Sequence, residues 1–188
     1  MESPQMHPII AIVGPSGSGK TALINEIIKR HPDKIGIIKS LASRDRRGPE
    51  DDPFYTFVPA QDIIDRKARG DLVQYLDFAG NIYGTDRYDV ESIINHIFGI
   101  QAYVQGAIFA LREAGYEVIP IELIPKNSKT IIRGNDTERS KADQERAKIT
   151  LDYRLTIEND FNPGGFEKSL NQLEDFLLKQ LLPKYPVK

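Results

Sequence analysis

A glycine-rich segment near the start of the chain constrains the fold more than any other feature of the sequence. Residues 14–21 fit the pattern G-x-x-x-x-G-K-[ST], directly after a short β-branched run at residues 9–13 and directly before apolar residues at helical spacing. A buried strand, a glycine-rich turn and a helix in this order turn backbone N–H groups and the helix N-terminus towards one anion. The alternative, a chance Gly/Ser-rich turn, is disfavoured because the motif and its flanking elements agree.

The segment therefore predicts a P-loop, a turn that binds the phosphates of a nucleoside triphosphate. Lys20 would reach the β and γ phosphates, and the Thr21 hydroxyl would be a ligand of Mg²⁺, the predicted metal cofactor. The residues expected to bind the phosphates of the triphosphate are Gly14, Pro15, Ser16, Gly17, Ser18, Gly19, Lys20 and Thr21.

Composition narrows the class of protein. The chain has 188 residues, 40% of them hydrophobic, which suffices for one or two compact units with a hydrophobic core. Its 25 Lys and Arg against 27 Asp and Glu give a net charge of −2, so we expect neither nucleic acid nor an anionic membrane as a partner. The absence of cysteine excludes thiol catalysis, disulfides and thiolate metal sites. No stretch approaches the ~20 apolar residues that span a bilayer, and the N-terminus lacks a leader pattern, so we expect a soluble, cytoplasmic protein.

Beyond the P-loop, the apolar pattern alternates between strands and helices, with turns at Gly and Pro. We expect strands at residues 35–39, 54–58, 72–78, 97–104, 118–124 and 155–158, and helices at 21–31, 62–69, 90–94, 105–114 and 166–182. Residues 43–53 have the composition of a polar loop, and residues 128–147 that of a charged helix. The alternation predicts an α/β layered fold.

A second series of residues follows the P-loop in a fixed order. It consists of Ser40, Arg44, Arg47, Glu50, Tyr55-Thr56-Phe57 and Gly80-Asn81-Ile82-Tyr83-Gly84-Thr85. Further matches are Gln105-Gly106, Arg133-Gly134 with Asp136-Thr137-Glu138, and Glu158-Asn159-Asp160. In this order the residues resemble the guanylate kinase family, over nearly the whole chain.

The resemblance implies a P-loop NTPase-type parallel sheet flanked by helices. It implies a core at residues 8–40, 86–127 and 148–188, a small acceptor-binding insertion at 41–85 and a helical lid at 128–147. The activity implied is a nucleoside monophosphate kinase that uses Mg²⁺ and ATP, with GMP or dGMP as the acceptor. The partners implied are therefore two small nucleotides.

The resemblance also implies which residues bind the acceptor. Ser40, Arg44, Arg47, Tyr55 and Tyr83 would hold its phosphate, and the other acceptor-binding candidates are Gln74, Gly84, Thr85, Gln101 and Tyr103. The chemistry supports this independently, because two anions must be brought together and Arg offers bidentate donors to phosphate. For Arg44 and Arg47 alone, a solvated charged loop is the competing interpretation.

In the predicted lid, the resemblance makes Arg133 and Arg139 donors to the transferring phosphoryl group, with Lys20 as the other catalytic cation. A further Arg of the family pattern is replaced here by Gln144. Arg146 lies close by and is our candidate replacement, with an exposed ion pair as the alternative.

The chain departs from the family pattern around the acceptor. Gln74 stands where the family has Glu, and Gln101-Ala102-Tyr103 stands where it has Asp-x-Asp. The stretch from Glu50 to Tyr55 is one residue short and has Pro53 in place of Gly. A Gln amide pairs with a guanine edge or an adenine edge, so the acceptor base stays open. The alternatives are therefore a kinase for a modified nucleotide or a sugar phosphate, and a catalytically inactive binding module.

Overall fold

The apolar run after the N-terminus forms the central strand of a parallel sheet. The computed structural model of the protein describes residues 7–93, 95–126, 141, 144–145, 148–160 and 162–185. All five residues of β1 (Ile9–Val13) are buried, as expected for a strand covered on both faces. The other strands of this sheet are β2 (Ile35–Ile37), β7 (Phe98–Ala102), β8 (Val118–Pro125) and β9 (Leu155–Asn159). The order is β2-β7-β1-β8-β9, with every pair parallel.

Helices cover both faces of the parallel sheet. They are α1 (Lys20–Arg30), α4 (Gln105–Glu113) and α5 (Pro163–Asp175), and α5 continues into a π-helical segment (Phe176–Leu181). Ile10 and Ile12 of β1 belong to the buried cluster that includes Leu23 of α1, whereas Ile9 belongs to the cluster that includes Ile108 of α4. Alternate residues of one strand thus anchor two cores. Within the described ranges, no helix combines the length and the apolar content that crossing a bilayer requires.

A second, four-stranded sheet follows β2. Its strands are β3 (Ser40–Ala42), β4 (Tyr55–Phe57), β5 (Leu72–Phe78) and β6 (Asn81–Asp86), in the order β4-β3-β6-β5. The helix α2 (Ala60–Arg69) packs against it through the buried Ile63, and α3 (Arg87–Glu91) follows β6 directly. Ala79 and Gly80 both have positive φ, 50° and 71°, which gives the tight turn of the β5–β6 hairpin.

The α/β class and the parallel sheet agree with the sequence prediction, whereas several local elements differ. The local sequence pattern did not predict β3 and β6, because their stability comes from pairing with each other and with neighbouring strands. It also placed α3 three residues too late, and α5 begins earlier than expected, with Pro163 in its first turn. The predicted lid lies outside the described residues, apart from positions 141, 144 and 145.

Candidate active site

The P-loop connects the carboxyl end of β1 to α1. Gly17 and Gly19 have φ of 79° and 93°, values that favour glycine, and Gly19 is the N-cap of α1. A Cβ on Gly14 would lie 2.3 Å from the carbonyl oxygen of Leu123, so the neighbouring strand β8 also requires glycine there. The loop therefore has the backbone conformation that turns N–H groups towards an anion at a helix N-terminus.

Lys20 lies over this loop. Its Nζ donates to the carbonyl oxygens of Gly14 and Pro15, each at 2.8 Å, and lies 3.5 Å from the Ser18 Oγ. These contacts hold a positive charge at the turn, where it adds to the helix dipole. The ammonium is therefore positioned to meet phosphate oxygens.

The residues at this turn fit a magnesium ion held jointly with phosphates. Thr21, the second residue of α1, is exposed, so its hydroxyl is accessible as a hard oxygen ligand. The described residues contain no group of three or more His, Cys, Asp or Glu side chains arranged to hold a metal. Magnesium would then take its remaining ligands from phosphate oxygens and water, as this ion commonly does.

Asn159, at the end of β9, holds the P-loop through a side-chain hydrogen bond. Its Nδ2 donates to the carbonyl oxygen of Ser18 at 2.9 Å, and its Oδ1 accepts from the Ser169 hydroxyl at 3.3 Å. Asn159 is 2% exposed and Ser169 is 0% exposed. Asn159 is part of the family resemblance, but the sequence did not predict its role, because residues 141 positions apart carry no local signal of contact.

The four-stranded sheet brings together three of the residues predicted to bind the acceptor phosphate. The Arg44 Cζ lies 4.7 Å from the ring centroid of Tyr55, whose ring lies 6.3 Å from that of Tyr83. Arg44 is 7% exposed and donates to Asp51 at 2.7 Å. Burial alone would lower the pKa of Arg44, but the hydrogen bond and attraction from Asp51 raise that pKa above its ordinary value. A permanent cation thus lies against the rings of Tyr55 and Phe57, and Tyr83 packs next to Tyr55.

Four other candidates form a buried polar cluster. The Thr85 Oγ1 donates to the Gln74 Oε1 at 3.0 Å and lies 3.3 Å from the Ser40 Oγ and 3.4 Å from the Tyr103 hydroxyl. Burial raises the pKa of Tyr103 far above its ordinary value, so its hydroxyl stays protonated. These four side chains contribute hydroxyls and one amide but no carboxylate.

The remaining candidates are placed differently. Gly84 lies within β6, where a Cβ would meet the Leu72 side chain at 2.9 Å. Arg47 has an exposed side chain, and its backbone N–H donates to Asp51 at 3.1 Å. The lid candidates Arg133, Arg139 and Arg146 lie outside the described residues.

Comparison with known proteins identifies the family. A sequence model of the family described as guanylate kinase matches residues 5–180, and the guanylate kinase of Prochlorococcus marinus is 31% identical over 165 residues, which cover 84% of this chain and 87% of that protein. The chain belongs to the guanylate kinase family. The guanylate kinase of Homo sapiens is 28% identical over 187 residues, 92% of this chain and 93% of that protein.

The fold agrees with this family. The crystal structure of guanylate kinase from Anaplasma phagocytophilum superposes with a TM-score of 0.71 over 97% of this chain and 90% of that one, at 18% sequence identity. These comparisons confirm three predictions from the sequence: the guanylate kinase family, the α/β fold of P-loop NTPase type, and the enzyme class of a phosphotransferase.

Gln101, one of the candidate acceptor-binding residues, is bound to the backbone of neighbouring segments. Gln101, which is 1% exposed, donates both amide hydrogens to backbone carbonyls, those of Ile38 at 2.7 Å and Phe54 at 3.0 Å. Its Oε1 accepts from the N–H of Ala102 at 2.8 Å. Gln101 therefore joins β7 to the segments that lead into β3 and β4.

Proposed function

We propose that this protein is an ATP-dependent nucleoside monophosphate kinase that transfers the γ-phosphoryl group of ATP to GMP, dGMP or a related monophosphate. The observation that carries the proposal is an intact P-loop, with Lys20 over it, in the same chain as a buried arginine that lies against the ring of Tyr55, next to which Tyr83 packs. Each of these two sites suits an anion, and phosphoryl transfer needs a donor and an acceptor phosphate. Membership of the guanylate kinase family supports the same reaction.

In this proposal the P-loop residues bind the phosphates of ATP, Lys20 neutralises charge on the transferring group, and Thr21 is the protein ligand of the metal. When bound with ATP, Mg²⁺ supplies charge neutralisation at the phosphate oxygens. Arg133, Arg139 and Arg146 are the proposed lid donors. The attacking oxygen of the acceptor phosphate is already anionic, so the protein provides positioning and electrostatic stabilisation and needs no general base.

The acceptor phosphate would be held by Ser40, Arg44, Arg47, Tyr55 and Tyr83. The base would lie near the buried polar cluster and Gly84. Gln101 contributes less to acceptor binding than the resemblance implies, because both of its amide hydrogens bind backbone carbonyls. We further propose the division into a core, an acceptor-binding unit at residues 41–85 and a lid at 128–147, in a cytoplasmic protein whose partners are small nucleotides.

A second candidate function is phosphoryl transfer to another acceptor, such as a modified nucleotide or a sugar phosphate. The cluster of Ser40, Gln74, Thr85 and Tyr103 favours it, because a neutral amide and hydroxyls select the donor edge of guanine less strongly than carboxylates do. A binding module without catalysis is disfavoured, since such a module has no need of both Lys20 and Thr21.

The test is an ADP-release assay with Mg-ATP against GMP, dGMP, AMP, dAMP, CMP, UMP and ribose phosphates. Turnover with GMP or dGMP alone supports the main proposal, and turnover with a different acceptor supports the second candidate. Failure to turn over any of them, together with no binding of ATP by calorimetry, would leave the binding module as the better account.

A further inference from the structure

We propose that Asp51 is a positioning residue that holds Arg44 in the orientation in which it receives the acceptor phosphate. The inference rests on the proposed function. It concerns a residue outside the set that the family resemblance singled out.

One carboxylate oxygen of Asp51 binds both Arg44 and Arg47, in the loop between β3 and β4. The Asp51 Oδ2 accepts from the Arg44 Nη1 at 2.7 Å and from the backbone N–H of Arg47 at 3.1 Å. Side-chain exposure is 7% for Arg44 and 11% for Asp51, so the pair is almost fully withdrawn from water. A charge-assisted hydrogen bond in such surroundings fixes the guanidinium more firmly than an exposed ion pair does.

The hydrogen bonds that hold Arg44 to Asp51 and to the backbone of Asp45 are made through Nη1. Nη1 donates to Asp51 and, at 2.8 Å, to the carbonyl oxygen of Asp45, so both of its hydrogens are used. The aromatic rings of Tyr55 and Phe57 lie 4.7 Å and 5.2 Å from the Cζ. The hydrogens on Nε and Nη2 form the opposite edge, which has the fork geometry that binds two phosphate oxygens.

The chain departs from the family at the segment that supplies this carboxylate. A short 3₁₀ helix (Pro49–Asp51) lies between the two arginines and Tyr55, in the stretch that is one residue short and contains Pro53. Its last residue, Asp51, is turned inwards and buried, whereas Glu50, the residue that matches the family signature, is exposed. The 3₁₀ helix thus places the carboxylate of the residue that follows Glu50 against Arg44.

The experiment compares Asp51→Asn with Asp52→Asn. Asp52 carries the same charge, lies one position away and pairs with Arg46 at the surface, where both side chains are about half exposed, 52% and 51%. We expect Asp51→Asn to raise the KM for the acceptor about tenfold or more, the usual effect of losing a hydrogen bond to a charged partner, and to leave the KM for ATP within about twofold. Asp52→Asn leaves both values unchanged.

Asp51→Glu separates positioning from simple stability. Because it retains a carboxylate, we expect it to recover most of the acceptor affinity that Asp51→Asn loses. An acceptor KM within about twofold of wild type in Asp51→Asn, or a lower one, would overturn the inference. So would equal increases in both KM values together with no recovery in Asp51→Glu, because this pattern indicates a loosened fold.

Binding measurements keep this inference separate from the proposed function. If the wild-type protein turns over no monophosphate, the proposed function has failed, and titration calorimetry with GMP in the absence of ATP still compares wild type with Asp51→Asn. A tenfold weaker binding of GMP by the variant supports the inference. Equal binding by the two proteins, or no binding of GMP by the wild type, overturns it.

Discussion

The side-chain amide of Asn159 donates to the carbonyl oxygen of Ser18 across 2.9 Å, and so ties the end of β9 to the P-loop. Ser169 of α5 in turn donates to the other end of that amide. The C-terminal strand and helix, far from the P-loop in sequence, therefore help to determine the conformation of the loop that binds phosphate.

Asn159→Ala removes this connection and takes the amide donor away from the Ser18 carbonyl oxygen in a buried position. We expect the free energy of unfolding to fall by about 1–3 kcal/mol and the affinity for ATP to fall roughly fivefold or more. Thermal unfolding and titration calorimetry with Mg-ATP measure the two effects. Asn162→Ala is the control, because Asn162 is exposed and its amide bonds only to Asp160 among the described side chains. Undiminished ATP affinity in Asn159→Ala would show that the loop holds its shape without this bond.

Lys20→Ala tests the charge over the P-loop. We expect turnover to fall by roughly a hundredfold or more, the scale of removing a preorganised charge stabiliser. Steady-state rates at saturating ATP measure the effect. Lys29→Ala removes the same charge from an exposed position on the same helix, where the Lys29 side chain is 72% exposed, and should not change the rate. Equal rates for wild type and Lys20→Ala would remove Lys20 from the mechanism.

Gln74→Glu tests whether the buried polar cluster contacts the base. A carboxylate can still accept from Thr85 and offers a charged acceptor to the adjacent N–H groups of guanine. We expect the ratio of kcat/KM for GMP to that for AMP to rise about tenfold. Gln61→Glu makes the same change on the exposed surface of α2 and should leave the ratio as it is. If the ratio also stays constant in Gln74→Glu, the Gln74 side chain does not face the base.

Tyr185 gives a prediction for stability at high pH. Burial, together with the hydrogen bond that its hydroxyl donates to Glu117, raises the pKa of Tyr185 from 10.0 to about 12. A raised pKa means that the folded state holds the proton more tightly, so the stabilisation is complete below pH 10 and is lost as the pH rises to about 12.

The experiment compares wild type with Tyr185→Phe by chemical unfolding at several pH values. Below pH 10 we expect the wild type to be more stable, by about 1 kcal/mol, the worth of one hydrogen bond. This advantage should shrink between pH 10 and 12. A difference that stays constant over that range would mean that the Tyr185 hydroxyl titrates at its ordinary pKa.

The sequence predicted the elements whose signals are local. β1, the P-loop glycines and α1 follow one another without a gap, so the apolar periodicity and the glycine-rich motif together predict all three. The strand β5 and the glycine that ends α2, Gly70 with φ of 79°, were also predicted where they occur. In each case a short stretch of chain contains all the information.

What the sequence did not predict depends on contacts between distant segments. β3 has three residues and exists because β4 and β6 pair with it. The burial of Asp51 against Arg44 depends on the shape of a shortened loop, and no composition rule distinguishes Asp51 from the exposed Asp52. Which of the charged residues in this loop become buried is therefore decided by packing and not by pattern.

Gln101 shows how a buried amide restricts which residues can replace it. Its amide supplies donors to the carbonyls of Ile38 and Phe54 at the junction of the two sheets. An ionised Asp accepts hydrogen bonds but has no hydrogen to donate, so Gln101→Asp would leave two carbonyls unpaired and bury a charge. A carboxylate at this position therefore requires a second change that supplies another donor to the two carbonyls, so the residue at position 101 and its surroundings can be redesigned only together.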